Sequence, residues 1–389
     1  MTTALPARRD VPLEPKPQAR PPFRADHVGS LLRPPALAWA RSKAEAGLLS
    51  PSELQRIEDV AIGDAVAIQQ GAGLKVITDG EFRRAYFHLD FLTSIEGVEA
   101  QVDPTAAHFH KADGEVLEFS PPKLRVAGRL GRASPIMRRD FEVLADATAP
   151  GHTPKITIPS PSMGLRGGRA AVAAGAYPEL EAFHADLARV YREEIADLFA
   201  AGCRYLQLDD TNLAYLCDPE RREASRGAGE DPDAQAALSA GLINAALAGA
   251  PKEMHRAIHL CRGNFRSAFV AAGGYEPVAE LLFNAIEVDA FLLEYDDERS
   301  GSFEPLRFLP RGKLAVLGLI SSKSGQLESK DDVKRRVDEA ARFAPPEQLC
   351  LSPQCGFAST CHGNDISFDA QRRKLELVAT CAEEIWGEG

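Results

Sequence analysis

Eight short apolar runs recur along the chain, most of them followed by a longer stretch with helical spacing, and this alternation restricts the fold more than any other feature. The runs are Ala25–Gly29, Lys75–Thr78, Lys155–Ile158, Tyr205–Leu208, Ala257–Leu260, Ala290–Leu293, Leu314–Leu319 and Gln348–Leu351. The predicted helices between them include Pro51–Gln70, Glu179–Ala201, Asp233–Leu247, Tyr275–Asn284 and Lys330–Phe343. In Glu179–Ala201 the apolar residues Leu180, Phe183, Leu187, Val190, Ile195 and Leu198 recur at near-helical spacing, and Gly202 follows as a C-terminal cap. Strands alternating with helices predict a parallel sheet, and eight such units predict an α/β fold of the (β/α)8 TIM-barrel type. A doubly wound open sheet is the alternative. Val98 to Arg129 breaks the rhythm: Glu115–Phe119 and Lys123–Ala127 flank Pro121 and Pro122, which reads as a β-hairpin excursion after the second strand.

The chain of 389 residues has room for one barrel of this kind, because such barrels exceed the usual domain size as a single unit. Residues 1–22 are rich in Pro, Arg and Ala and lack the apolar core of a secretory signal, so they are expected to form a disordered or loosely packed tail. No run approaches the roughly 20 apolar residues of a membrane span, so no membrane partner is expected. A net charge of −11 argues against nucleic acid. Seven cysteines, an odd number over a long chain, argue against a disulfide scaffold and for a cytoplasmic setting.

Reactive residue types follow nearly every apolar run: Ser30; Asp79 with Glu81; Asp209 with Asp210; His259 with Cys261; Glu294; Ser321 with Lys323; and Cys355. Active sites of barrels lie at the carboxyl ends of the strands, so these side chains should converge on one mouth. His259 and Cys261 stand two apart and share a strand face. With Cys355 they supply the imidazole and thiolate donors that a catalytic zinc prefers, and Glu294 offers a fourth, displaceable ligand. Thiolate ligands make a bound substrate sulfur electron-rich and a bound water a weak acid, which favours alkylation of sulfur over hydrolysis. Cys361 and His362 lie close enough in sequence to compete for the metal. Cys203, Cys217 and Cys350 read as packing, since a buried cysteine is often a small apolar side chain.

The blocks His27-Val28-Gly29-Ser30, Thr78-Asp79-Gly80-Glu81, Leu206-Gln207-Leu208-Asp209-Asp210, His259-Leu260-Cys261, Glu294 and Pro353-Gln354-Cys355-Gly356 occur in an order that resembles the catalytic barrel of cobalamin-independent methionine synthases, from about Phe23 to the C-terminus. The resemblance implies that residues 23–389 form a single zinc-binding catalytic barrel, like the single-barrel members of a family whose full-length members have two. It implies Zn2+ bound by His259, Cys261, Glu294 and Cys355. It also implies that Ser30, Glu81 and Asp209 bind the amino-acid part of homocysteine, which suits an ammonium between carboxylates and a carboxylate at a serine.

The donor half of the family pattern is rewritten. The family's pterin-side tryptophan falls around Gly167, and its folate-side glutamate is Tyr215 here. The Arg-Cys pair is absent from Pro121 to Arg125, and the Asp-x-His-Ser element reads Ser321-Ser322-Lys323-Ser324. Lys323 therefore takes the place of the proton donor, supplying a proton to a leaving amine or stabilising a leaving oxygen. The expected function is zinc-dependent transfer of a methyl or alkyl group to a small-molecule thiol, first of all homocysteine methylation with 5-methyltetrahydrofolate or another methyl donor. The alternatives are an epoxide-opening thiol transferase of the epoxyalkane:coenzyme M type and, from another class, a zinc-dependent hydrolase or lyase with Asp209 or Glu81 as base. Monomer and homodimer both stay open.

Overall fold

A computed structural model describes residues 23–102 and 107–387. The tail expected at residues 1–22 lies outside the described residues. In chain order the strands are β1 (Val76–Ile77), β2 (Glu96–Gln101), β3 (Ala107–His110), β4 (Val116–Phe119), β5 (Lys123–Gly131), β6 (Thr153–Pro159), β7 (Tyr205–Asp210), β8 (His255–Leu260), β9 (Ala290–Glu294), β10 (Leu314–Ile320) and β11 (Leu349–Pro353). Seven of them form one all-parallel sheet in the order β1-β6-β7-β8-β9-β10-β11. β6, β7, β9 and β11 are buried along their whole length, as strands covered on both faces must be.

The expected first strand does not form as a strand. Ala25 makes a single parallel bridge to Leu351, with Asp26 N donating to Leu351 O at 2.9 Å. Beyond it, the His27 N–H turns to the Asp26 carboxylate at 2.7 Å, and Gly29 adopts φ 135°. On its other side the segment meets the β1 region through side chains: His27 Nε2 lies 3.2 Å from Val76 O, and Thr78 Oγ1 donates to Gly29 O at 2.7 Å. Residues 25–29 thus occupy the eighth place and complete the curl of a TIM barrel without a full ladder. Their inward side is fixed by Lys155, buried among apolar strands, whose ammonium pairs with Asp26 at 2.7 Å and with Gln207 Oε1 at 2.8 Å.

The excursion after the second barrel position is present, but as two antiparallel pairs rather than one: β2 with β5, and β3 with β4. The β3–β4 hairpin bends back over the barrel mouth. His110 pairs its backbone with Phe269, Lys111 Nζ bonds Asp365 at 3.1 Å, and Phe109 and Phe119 pack on Phe265 at 5.2 and 4.2 Å between ring centres.

The predicted helices stand within a few residues of expectation, at Pro51–Gly71, Leu180–Ala200, Pro232–Leu247, Ala279–Ala285 and Lys330–Ala340. The Leu180–Ala200 helix buries Phe183, Leu187, Val190, Ile195 and Leu198 as its spacing requires. Residues 216–232, whose polar composition reads as a loop, carry a helix at Pro219–Gly227 instead. Asp218 caps it by accepting from Glu220 N and Arg221 N, with Pro219 in the first turn. Among the described residues no helix is long and apolar enough to cross a membrane.

Candidate metal centre and substrate cavity

Four residues at the carboxyl ends of the strands bring their donor atoms together. His259 is the penultimate residue of β8, Cys261 follows that strand, Glu294 ends β9, and Cys355 stands two residues beyond β11. All four are buried, and their ligand atoms lie within 4.8 Å of one another. Cys261 Sγ and Cys355 Sγ are 3.3 Å apart and are free thiols. Tetrahedral zinc with bonds of about 2.0–2.3 Å sets its ligands about 3.3–3.8 Å apart, so a small contraction closes the set. His259 turns Nδ1 to Leu292 O at 3.3 Å, which leaves Nε2 beside the Cys355 thiol with its lone pair toward the cluster. A metal-binding histidine is oriented by this kind of bond from its other nitrogen. The donor set fits zinc.

The two thiols perturb each other in opposite directions. Contact with Cys355 holds the Cys261 thiol well up, and contact with Cys261 pulls Cys355 well down despite its burial. The other core cysteines behave as packing: burial pushes Cys203 and Cys350 up to about 12 and Cys217 to about 11. Cys361 is exposed beside His362 and stands apart from the cluster.

Glu294 is held from behind. Its Oε1 accepts from Gln354 Nε2 at 3.0 Å, and its Oε2 accepts from Arg262 N at 3.3 Å and lies 3.6 Å from Arg299 Nη1. Burial would raise this carboxyl, but Lys323, Arg299 and Arg262 outweigh it and keep the pKa low. A carboxylate engaged by so many cations would be a weak metal ligand, one that an incoming ligand could displace. Arg262 itself is fully buried and bonds Tyr275 Oη at 3.0 Å and Gly273 O at 2.7 Å. Sequence reasoning missed this support; its one visible trace is Arg262 directly after Cys261.

Ser30, Glu81, Asp209, His259, Cys261 and Cys355 line one cavity. Glu81 sits in the left-handed region at φ 59°, in a turn where its N–H donates to Asp79 Oδ1 at 2.9 Å. This conformation is uncommon for a non-glycine residue, and the bond to Asp79 holds it here. Thr157 Oγ1 donates to Glu81 Oε1 at 3.2 Å, while Oε2 has no hydrogen bond and lies 3.9 Å from Arg84 Nη1. Burial, with Asp209 and Asp79 adding to it, pushes the Glu81 carboxyl to about 7 against Arg84 and Arg33. Burial likewise raises Asp209 to about 6, against His259 and the bond from Gln207 Nε2 at 2.7 Å. Two buried carboxyls with unspent acceptor capacity suit an incoming ammonium.

Ser30 Oγ lies where a Cβ on Gly356 would come within 1.9 Å of it, and it accepts from Ala358 N at 3.4 Å. The glycine after Cys355 is therefore what lets the metal-side turn close on the serine. Lys323 does not line the cavity. Its Nζ is buried without a hydrogen bond, and its charge acts on Cys261, Cys355, Glu294 and Asp296. The outer wall is aromatic, from Tyr86, Phe87, Phe109, Phe119 and Phe265, and carries Arg166 and Tyr215.

A family model described as the catalytic domain of cobalamin-independent synthases matches residues 128–371. The Bacillus subtilis protein YxjH, itself uncharacterised, is 44% identical over 370 residues, 95% of this chain and 96% of its own. A 5-methyltetrahydropteroyltriglutamate–homocysteine methyltransferase of a Synechococcus strain is 24% identical over 342 residues, 86% of this chain but 40% of that longer protein. A Listeria monocytogenes protein, solved as a candidate vitamin-B12-independent methionine synthase, superposes with a TM-score of 0.75 at 36% identity, covering 94% of this chain and 99% of its own.

Proposed function

This chain belongs to the family of cobalamin-independent synthases, and we propose that it is a zinc-dependent thiol S-methyltransferase that converts homocysteine to methionine with 5-methyltetrahydrofolate or another methyl donor. The observation that carries the reading is one cavity bounded at its base by two cysteines and a histidine and at its side by two carboxyls and a serine. His259, Cys261 and Cys355 hold the metal, with Glu294 as the exchangeable fourth ligand. When bound, zinc supplies the Lewis acidity that ionises a substrate thiol near neutral pH.

The protein's own groups do the rest. The free Oε2 of Glu81 and the Asp209 carboxylate accept hydrogen bonds from the substrate ammonium. Ser30 Oγ, set against the turn after Cys355, binds the substrate carboxylate. These anchors fix the sulfur's carbon chain, so that only its direction of attack remains free. Lys323 offsets the negative charge of the ligand set; since it does not line the cavity, it acts on the leaving group through that charge rather than by direct contact. Glu81 and Asp209 favour a thiol that carries an amine over one that carries a sulfonate, which ranks the epoxide-opening reading second. The residues involved span positions 30 to 355, so residues 23–389 act as one catalytic unit, in a cytoplasmic setting.

Zinc-edge X-ray absorption of the zinc-loaded protein, with and without homocysteine, tests the reading. One additional zinc–sulfur distance and the loss of an oxygen neighbour are expected. Unchanged coordination refutes thiol activation.

A further inference from the structure

We propose that Arg166 and Arg221, gathered on Tyr215, form an oxyanion-binding site at the cavity mouth that takes the carboxylate or phosphate group of the methyl donor. Both guanidinium groups lie over the Tyr215 ring, at 5.5 Å and 4.8 Å from its centre. Arg166 lines the cavity together with Tyr215, while Arg221 stands on the exposed first turn of the Pro219–Gly227 helix. Arg166 donates from Nε to Asn212 Oδ1 at 3.0 Å and from Nη2 to Thr211 Oγ1, both neutral acceptors. Among the described residues neither arginine has a carboxylate within ion-pairing distance.

The acids that line the same cavity do not pair with these arginines: the charged neighbour of Glu81 is Arg84, and Asp209 accepts from Gln207. His88, which also lines the cavity, is held neutral by burial and by Arg166 itself, with a pKa near 3. A guanidinium fixed in an aromatic wall with no counter-ion is preorganised for a planar or tetrahedral oxyanion. Tyr215, whose hydroxyl pKa is held above its ordinary value by burial, supplies an uncharged ring on which both arginines rest, so this end of the cavity suits an anionic group.

The anion belongs to the donor, because the thiol substrate's charged groups are satisfied at Ser30, Glu81 and Asp209; this clause rests on the proposed function. The test is isothermal titration of the zinc-loaded full chain with 5-methyltetrahydrofolate, which carries two carboxylates, and with inorganic pyrophosphate. Wild-type protein should bind at least one, with a Kd that rises with salt. Arg166→Met and Arg221→Met should each weaken that binding about tenfold or more, and Arg166→Lys less, since a lost hydrogen bond to a charged group is worth about that factor. The Kd for homocysteine should not move. Binding of the folate alone assigns a carboxylate, and of pyrophosphate alone a phosphate. Wild-type affinity retained in both methionine variants, failure of wild type to bind either probe, or weakening of homocysteine instead overturns the site. A wild-type protein that binds an anion through these arginines but shows no homocysteine-dependent change at zinc refutes the thiol reading and leaves the anion site standing.

Discussion

Gly356→Ala is the most economical test of how the thiol end of the cavity is built. A Cβ there falls 1.9 Å from Ser30 Oγ, 3.1 Å from Ser30 Cβ and 3.4 Å from Ser30 N. The backbone cannot retreat: Asn264 Nδ2 holds the Gly356 carbonyl at 2.8 Å, and Phe357 N donates to Ser30 O at 2.9 Å. The hydroxyl must therefore swing to another rotamer and give up the bond from Ala358 N. Overpacking of this kind costs about 1–3 kcal/mol of stability. Relocating a hydroxyl that anchors a charged group costs binding about 1.5–3 kcal/mol, or about 10- to 100-fold in Kd for homocysteine. Ser30→Ala removes the same anchor without the collision, so it should match the binding loss with little loss of stability. In the double variant the binding losses should not add, because both act through one oxygen. Urea unfolding, zinc content and homocysteine titration on the four proteins read all three quantities. Gly356→Ala with wild-type stability and wild-type thiol affinity, or binding losses that add, would refute the reasoning.

Cys355→Ser should lose zinc and activity together, because a neutral hydroxyl replaces a thiolate; metal analysis that still finds about one zinc per chain removes Cys355 from the ligand set. Lys323→Ala should keep zinc and homocysteine affinity but slow turnover, and steady-state kinetics with unchanged kcat would end its assigned role. Glu81, with its carboxyl raised to about 7, is protonated in the folded protein and ionised in the unfolded chain between about pH 4.5 and pH 7. Its contribution to stability therefore falls as pH rises through that window, and Glu81→Gln should flatten the slope in urea unfolding measured at several pH values. Affinity for homocysteine should rise with pH through about 7 in the wild type, as Glu81 ionises to meet the ammonium; a flat profile from pH 6 to pH 8 excludes Glu81 as its partner.

The barrel and the clustering of the four candidate metal ligands were readable because their signals are local. His259, Cys261, Glu294 and Cys355 each end an apolar run, and strand ends of a parallel barrel share one rim whatever the loops do. Ala25–Gly29 reads as a strand from its place in the β/α rhythm rather than from its composition, which includes Asp26 and His27; Asp26 taking the His27 N–H and Gly29 at positive φ remove it from the ladder. The Pro35–Glu45 and Pro219–Gly227 helices escaped, the first for want of a clear apolar stripe and the second because its residues are nearly all polar and only Asp218-Pro219 announces it. Arg299 and Gln354 act on Glu294 across the barrel rim. Gln354 is 60 residues from Glu294, and Arg299, though close in sequence, reaches it only through the turn of the loop after β9; no spacing rule gives either contact, nor the place of Lys323 beside the ligand set rather than on the cavity wall, which is decided by the path of the loop after β10.

That supporting shell explains how a ligand set rich in anions can admit another one. Cys261, Cys355 and Glu294 together bring up to three negative charges to a divalent ion, which would repel an incoming thiolate. Arg262, Arg299 and Lys323 set three positive charges against the same carboxylate from the buried side, and two of them reach it directly, at 3.4 and 3.6 Å. In a low-dielectric interior their attraction is long-ranged, so it acts on the metal's other ligands as well as on Glu294. With zinc bound, these cations would give Glu294 an alternative partner, which suits an exchangeable ligand. On the proposed function, the arginines behind β8 and β9 would govern exchange at the metal, while the choice of donor would be left to the aromatic wall and the two guanidinium groups on Tyr215.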